Sequence, residues 1–386
     1  MSDYIVFGQP ILGDEEIAEV TDALRSCWIG TGPRTARFED QFADYVGARH
    51  AVAVNSCTAA LHLSLLASGV GPGDEVITTP LTFASTANVI LHAGAMPVFV
   101  DVDRETMNID PSQIEAAITQ NTKAILPVHF GGRPCEMEAI GAIADRFGLK
   151  VIEDAAHCIE GRYQEQKIGS ISPLTCFSFY VTKNMTTAEG GMIATNDEQL
   201  ATTLKMHALH GLSRDAWRRF SDDGYQHYEV VYPGFKYNMT DLQAALGLCQ
   251  LPKLEQWLRR REEIWQQYDE AFAELPCWVP SPAASETRHA RHLYTLLLDI
   301  DQLGKSRDQV MQELHELGIG VGVHYRAVHL HQYYRERYGY EADQFPNANW
   351  ISQRTISLPL SAKLTADQVD RIISAMTSTL SVTQLN

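Results

Sequence analysis

AVAVNSCTAALHLSLLASGV, residues 51–70, is a short apolar run followed by a helical pattern. AVAVNS predicts a strand, and TAALHLSLLASGV a helix whose apolar residues recur at helical spacing. The same alternation continues downstream. EVITTP precedes the helical TFASTANVILHAG, and MPVFVDVD reads as the next strand. The helical IEAAIT, the strand KAILPVHF, the helical MEAIGAIADRFG and KVIEDAA follow. Apolar runs separated by amphipathic helices predict a parallel sheet covered on both faces, with ligands taken beyond the carboxyl ends of its strands.

Outside this region the pattern changes. SFYVTKNMTTAEGGMIATND leads into the helical DEQLATTLKMHALHG, and the polar stretch Ser213–Tyr228 reads as a surface loop. A long helix is expected from about Thr240 to Glu274, with Pro252 marking a kink or break. HLYTLLLDI, QVMQELHELG, TISLPL and VDRIISAM then alternate again. At 386 residues the chain exceeds one ordinary core. We therefore expect a large domain over residues 1–250 and a smaller α/β domain over 251–386.

Composition narrows the function. A net charge of −17 argues against a nucleic-acid surface. Seven scattered cysteines without a CxxC pair support neither a disulfide framework nor a zinc ribbon, so no metal site is expected. MSDYIVFGQP has no basic segment followed by an apolar one, and no apolar run approaches the roughly 20 residues of a membrane span. These features predict a soluble, cytoplasmic enzyme with no membrane partner.

Three segments place polar groups at strand ends. Asn55-Ser56-Cys57-Thr58 stands at a strand-to-helix turn, where unpaired N–H groups can hold a phosphate. Taken alone, Ser56 or Thr58 reads as a plain N-cap. Glu153-Asp154 closes the run KVI, and strand alternation turns the two carboxylates to opposite faces. His157 alone reads as a hydrogen-bonded structural histidine. Lys183 lies between apolar flanks and the pair Gly190-Gly191, where desolvation lowers a lysine's pKa and makes it nucleophilic; a solvated surface lysine is the bland alternative. Together the segments suit pyridoxal 5'-phosphate (PLP), which needs an anion cradle, an amine and a carboxylate facing its pyridine nitrogen.

The order NSCTAALHLSL, EDAAH, SFYVTKNMTTAEGG, PGFKYNMTDLQAALG resembles the sugar aminotransferases among fold-type-I PLP enzymes. The likeness runs from WIGTGP at residue 28 to GVGVHYRAVH ending at His329. GFKYN, HALHGLSRDAW and HYRAVHLHQYYRERY look closest to the branch that aminates UDP-4-amino-4-deoxy-L-arabinose precursors. The resemblance implies a seven-stranded, mostly parallel sheet sandwiched by helices, and a homodimer. It implies that Lys183 bonds the cofactor and shuttles protons, that Asp154 faces the pyridine nitrogen, and that His157 meets the ring's phenolic oxygen. Phe83, otherwise a core residue, becomes the ring that stacks on the cofactor. Cys57, Thr58 and Ser178 match phosphate-binding positions. GFKYNMTD replaces the more frequent GYNYRMTD, so either Asn238 or Lys236 is expected to reach the partner subunit's phosphate.

The implied reaction moves the amine of L-glutamate, leaving 2-oxoglutarate, to C4 of a nucleotide-linked keto-sugar. Arg326, His324, Tyr325, His329 and Lys236 are candidates to meet that substrate, as are Arg214, Arg218 and Arg219 in SRDAWRRF, because an acidic chain needs local cations for a diphosphate. Amination at C3 and a PLP-binding regulatory protein without turnover are the alternatives. A sugar dehydratase, whose relatives carry histidine at the lysine position, is disfavoured by Lys183.

Overall fold

In a computed structural model, which describes residues 4–212 and 229–381, the apolar runs around residue 51 become a seven-stranded sheet. Its strands are β1 (His50–Val54), β2 (Glu75–Thr78), β3 (Met96–Phe99), β4 (Thr122–Leu126), β5 (Lys150–Asp154), β6 (Leu174–Ser178) and β7 (Gly191–Thr195). They lie in the order β1-β7-β6-β5-β4-β2-β3. Strands β2 to β6 pair in parallel, whereas β7 runs antiparallel to both β1 and β6. The sheet is thus mixed and mostly parallel.

Side-chain alternation divides the core in two. Ala51, Ala53, Ile125, Phe177 and Met192 point to one face. There they meet Phe38 and Phe42 of helix α2 (Pro33–Val46), which follows α1 (Asp14–Arg25). Val52, Val54, Leu126, Cys176 and Ile193 point to the other face, toward α3 (Cys57–Ala67) and α4 (Ala84–His92). Further cover comes from α5 (Met137–Phe147) on the first face and α6 (Glu198–Ala208) on the second. Helix α3 is buried all round, every residue from Ala59 to Leu65, as expected of a helix inserted between a sheet and other helices.

The long helix read over residues 240–274 is two helices, α7 (Asp241–Gln250) and α8 (Leu254–Phe272), joined by a 3-10 turn containing Pro252. A proline cannot supply the N–H that would carry the first helix into the second. IEAAIT forms only the end of a four-residue helix, Pro111–Ile114, and a 3-10 turn, Glu115–Ala117. Too few residues lie before the next strand for more. The surface loop expected at Ser213–Tyr228, with Arg214, Arg218 and Arg219, lies outside the described residues.

Beyond α8, strands β8 (Cys277–Trp278), β9 (Tyr294–Leu298) and β10 (Thr355–Leu358) form an antiparallel sheet. It packs with α8, α9 (Arg307–Glu316) and α10 (Ala366–Leu380) around Tyr268, Leu296, Leu314, Ile356 and Ile372. Ile5 belongs to this core too, bridged to Ile319, although it comes from the opposite end of the chain.

Candidate active site

The carboxyl ends of β1, β5 and β6 open into one cavity of about 600 Å³. Ser56, Cys57, Thr58, Phe83, Asp154, His157, Ser178, Lys183, His324 and Tyr325 all line it, from segments spread over most of the chain.

The turn after β1 lets Ser56 cap α3, its Oγ accepting from the Ala59 N–H at 3.1 Å. Ser56 therefore takes the plain capping role. The first helical residues are Cys57 and Thr58, whose N–H groups have no partner within the helix. They face the cavity with the positive end of the helix, which fits a phosphate. Gly191 of β7 makes this turn possible. A Cβ there would stand 2.5 Å from the Ser56 carbonyl carbon and 2.7 Å from the Cys57 nitrogen.

The last two residues of β5 separate as alternation requires. Glu153 turns away from the cavity, where its carboxylate meets His129 Nε2 at 2.7 Å and accepts from the Thr175 hydroxyl at 2.8 Å. Asp154 turns into the cavity, accepting from Thr86 Oγ1 at 2.8 Å and from the Ala156 N–H at 3.1 Å. Burial pushes its pKa up, and these two partners with Lys183 only partly offset the rise. A buried carboxylate held by neutral donors is suited to a cationic partner such as a protonated pyridine nitrogen. No motif marks Thr86 beyond its place one helical turn after Phe83.

Lys183 hangs from a tight turn closed by its N–H to the Tyr180 carbonyl at 2.9 Å. Desolvation lowers its pKa to about 8, against the pull of Cys57 and Asp154. His157 is buried, and burial followed by Lys183 and two other histidines holds its pKa well below the usual value. Its Nδ1 accepts from the Gly131 N–H at 3.2 Å, which leaves the proton on Nε2. That N–H meets Tyr325 Oη at 3.1 Å, inside the cavity. Phe83, the residue a bland reading would bury, is 61% exposed, with its ring open to the cavity. The residues present therefore fit PLP: a helix N-terminus for its phosphate, Asp154 for its ring nitrogen, Lys183 for its aldehyde and Phe83 for its ring face.

Other candidates lie elsewhere. Arg326 is exposed, donating to the Leu330 carbonyl at 3.1 Å, and does not line the cavity. His329 is fully buried against Phe345, also outside it. The chain is irregular up to the 3-10 turn Val328–Leu330, which holds His329, so these side chains have no fixed alternation, and two of the four candidates in this segment turn away. Lys236 is exposed and pairs through its backbone with Leu209. Asn238 donates to Thr31 Oγ1 at 2.6 Å and lines a different cavity of about 430 Å³, with Trp28, Thr31 and Gly32. Neither reaches the Lys183 cavity of its own chain.

An α/β sheet presenting this lysine, aspartate and helix N-terminus at its strand ends defines a PLP-dependent aminotransferase of fold type I. The chain belongs to the DegT/DnrJ/EryC1/StrS aminotransferase family, whose profile matches residues 10–377. It is 51% identical to the spore coat polysaccharide biosynthesis protein SpsC of Bacillus subtilis, over 97% of this chain and 96% of that one. Helicobacter pylori PseC, an aminotransferase involved in the biosynthesis of pseudoaminic acid, superposes with a TM-score of 0.91 at 30% identity, covering 98% of this chain and 99% of the other. The PLP form of Spr1654 of Streptococcus pneumoniae, described as a sugar aminotransferase, gives 0.90 at 34% identity over 97% and 98%.

Proposed function

We propose that this sugar aminotransferase moves the amine of L-glutamate to C4 of a nucleotide-linked 4-keto-sugar, as a cytoplasmic homodimer making a polysaccharide or glycan precursor. When bound, PLP supplies an aldehyde that takes up the amine and a protonated ring that draws electrons from the neighbouring C–H bond. Asp154 holds the ring proton in place. Lys183 removes and returns protons, which its lowered pKa suits near neutral pH. His157 offers its Nε2 proton to the ring's phenolic oxygen, and Cys57, Thr58 and Ser178 take the phosphate. Lys236 or Asn238 completes the same cradle in the partner subunit.

The observation that carries the sugar reading is the cavity's polar inventory. Ser56, Thr58, Thr82, Ser85, Ser178, Tyr180, Thr182 and Tyr325 bring hydroxyls to it, and Lys183 is the only lysine or arginine among its described lining residues. Hydroxyls that both donate and accept match the hydroxyls of a sugar. The names of SpsC and PseC point to the same kind of substrate. The test runs single turnovers of glutamate-charged enzyme against 4-keto and 3-keto nucleotide sugars and simple keto acids. Fastest amination of a 4-keto compound is expected. Faster reaction of 3-keto compounds overturns the C4 position, and reaction with keto acids alone overturns the sugar.

A further inference from the structure

Behind Lys183, on the side away from the cavity, lies an ion pair between Glu160 and Arg261 whose side chains are 0% and 4% exposed. Ion pairs this deep rarely add net stability, because desolvating both charges costs about what their attraction returns. The partners of this pair lead to the reacting groups. One Glu160 oxygen takes the Arg261 guanidinium, and the other accepts from Asn184 Nδ2 at 2.6 Å. Asn184 is the residue after Lys183. Its second amide hydrogen goes to the Ala290 carbonyl at 3.1 Å, a carbonyl that Arg261 also holds.

With both amide hydrogens placed, Asn184 Oδ1 can only accept. It faces His292 Nδ1 at 2.8 Å, so His292 carries its proton on Nδ1. His292 packs on His157, ring centroids 4.5 Å apart, and His157 has the opposite tautomer, fixed by the Gly131 N–H. The frame closes on itself, because the Gly131 carbonyl accepts from the His292 N–H at 3.1 Å and the Gly132 carbonyl from the Ala290 N–H at 2.8 Å.

We infer that the buried Glu160–Arg261 pair is a positioning pair for the reaction, fixing the Asn184 amide and, through it, both the turn that carries Lys183 and the His292 ring packed on His157. The inference rests on the reading of Lys183 and His157 as reacting groups. Neither Glu160 nor Arg261 lines the cavity, so both act through other side chains.

The test begins with cofactor-free protein, where nitrogen-15 imidazole spectra report each tautomer and His292→Gln and His157→Gln spectra assign the two rings. Wild type should show His292 protonated on Nδ1 and His157 on Nε2. Glu160→Gln offers one oxygen where two are used, so Asn184 is freed to turn over and His292 should shift toward Nε2 protonation. In loaded enzyme the same variant should lose about 10- to 100-fold in kcat, with KM for both substrates within about twofold. Glu160→Met combined with Arg261→Met removes both charges in an apolar frame, a replacement that buried pairs commonly survive. It should fold and show the same loss. Wild-type kcat with an unmoved His292 signal in that double variant overturns the inference. Turnover surviving in Lys183→Ala overturns the parent reading as well. Loss in Lys183→Ala alongside wild-type turnover in the double variant overturns the positioning role alone.

Discussion

The strand-end side of the cavity and the segment from Gly320 to His329 face each other and are built on opposite principles. On the strand-end side several residues are placed by regular structure, Asp154 by the alternation of β5, Cys57 and Thr58 by the start of α3 and Phe83 by the start of α4, while Lys183 follows β6 on a hydrogen-bonded turn. Across from it, the backbone is irregular up to the single 3-10 turn Val328–Leu330, and HYRAVH sends its side chains in unrelated directions. His324 bonds Ser357 at 2.9 Å and Tyr325 meets His157, while Arg326 leaves for solvent and His329 for a separate core. Loops tolerate change where strands do not, so substrate preference can vary on one side of the cavity while the strand ends keep their geometry.

This contrast assigns the largest effects to the strand-end side. On the proposed roles of Lys183 as covalent anchor and base, Lys183→Ala should lower turnover by about 10³-fold or more. The visible absorbance of lysine-bound cofactor should vanish with it, which an absorption spectrum checks directly. Asp154→Asn keeps the size and the Thr86 contact but cannot hold a pyridinium proton. The glutamate half-reaction should slow by about 10²-fold, or about 2.7 kcal/mol of barrier, while cofactor is retained. Stopped-flow spectra at wild-type speed in that variant would break the strand-end assignment.

A smaller, graded effect concerns pH. In cofactor-free protein, aldehyde capture by Lys183 should rise with pH around 8, not around the ordinary lysine value of 10.5. Because the folded value lies below the unfolded one, the unfolded chain holds the extra proton between these two pH values. This group therefore makes stability rise with pH across that window, as denaturant titrations of wild type and Lys183→Met should show. The smallest effect is expected on the loop side. Arg326→Ala should change KM for the keto-sugar by less than about twofold, because its guanidinium makes a single exposed contact to its own loop. A tenfold rise in that KM would mean the loop side is as tightly specified as the strand ends.

The same contrast explains what could be read from residues alone. Strand and helix periods are properties of a few successive side chains, so the sheet and the cavity-facing side of Asp154 were legible, as was the break at Pro252, while Lys183 stood out by its apolar flanks and the family motif. Thr86, Asn184 and His292 were not. Each acts through a partner far along the chain, Thr86 with Asp154, Asn184 with Glu160 and His292 with His157, and no local pattern encodes such a meeting. Arg326 and His329 do not line the cavity for a related reason: Arg326 lies in an irregular segment and His329 in a single 3-10 turn, too short to give a period. Phe83 shows the reverse case, since composition would bury it and only the family motif turned it outward.

The bridge between Ile5 and Ile319 gives the chain a late-closing clasp. From Ile5 the segment runs on to Phe7, stacked on His324 at 5.3 Å, and to Gly8, where an added methyl would stand 3.1 Å from Thr182 beside the reactive lysine. A ribosome has therefore released most of the polypeptide before residues 5–8 find their seat, and His324, which lines the cavity, lacks its Phe7 stacking partner until then. Bulky groups fused ahead of this clasp should slow the gain of activity more than the gain of secondary structure.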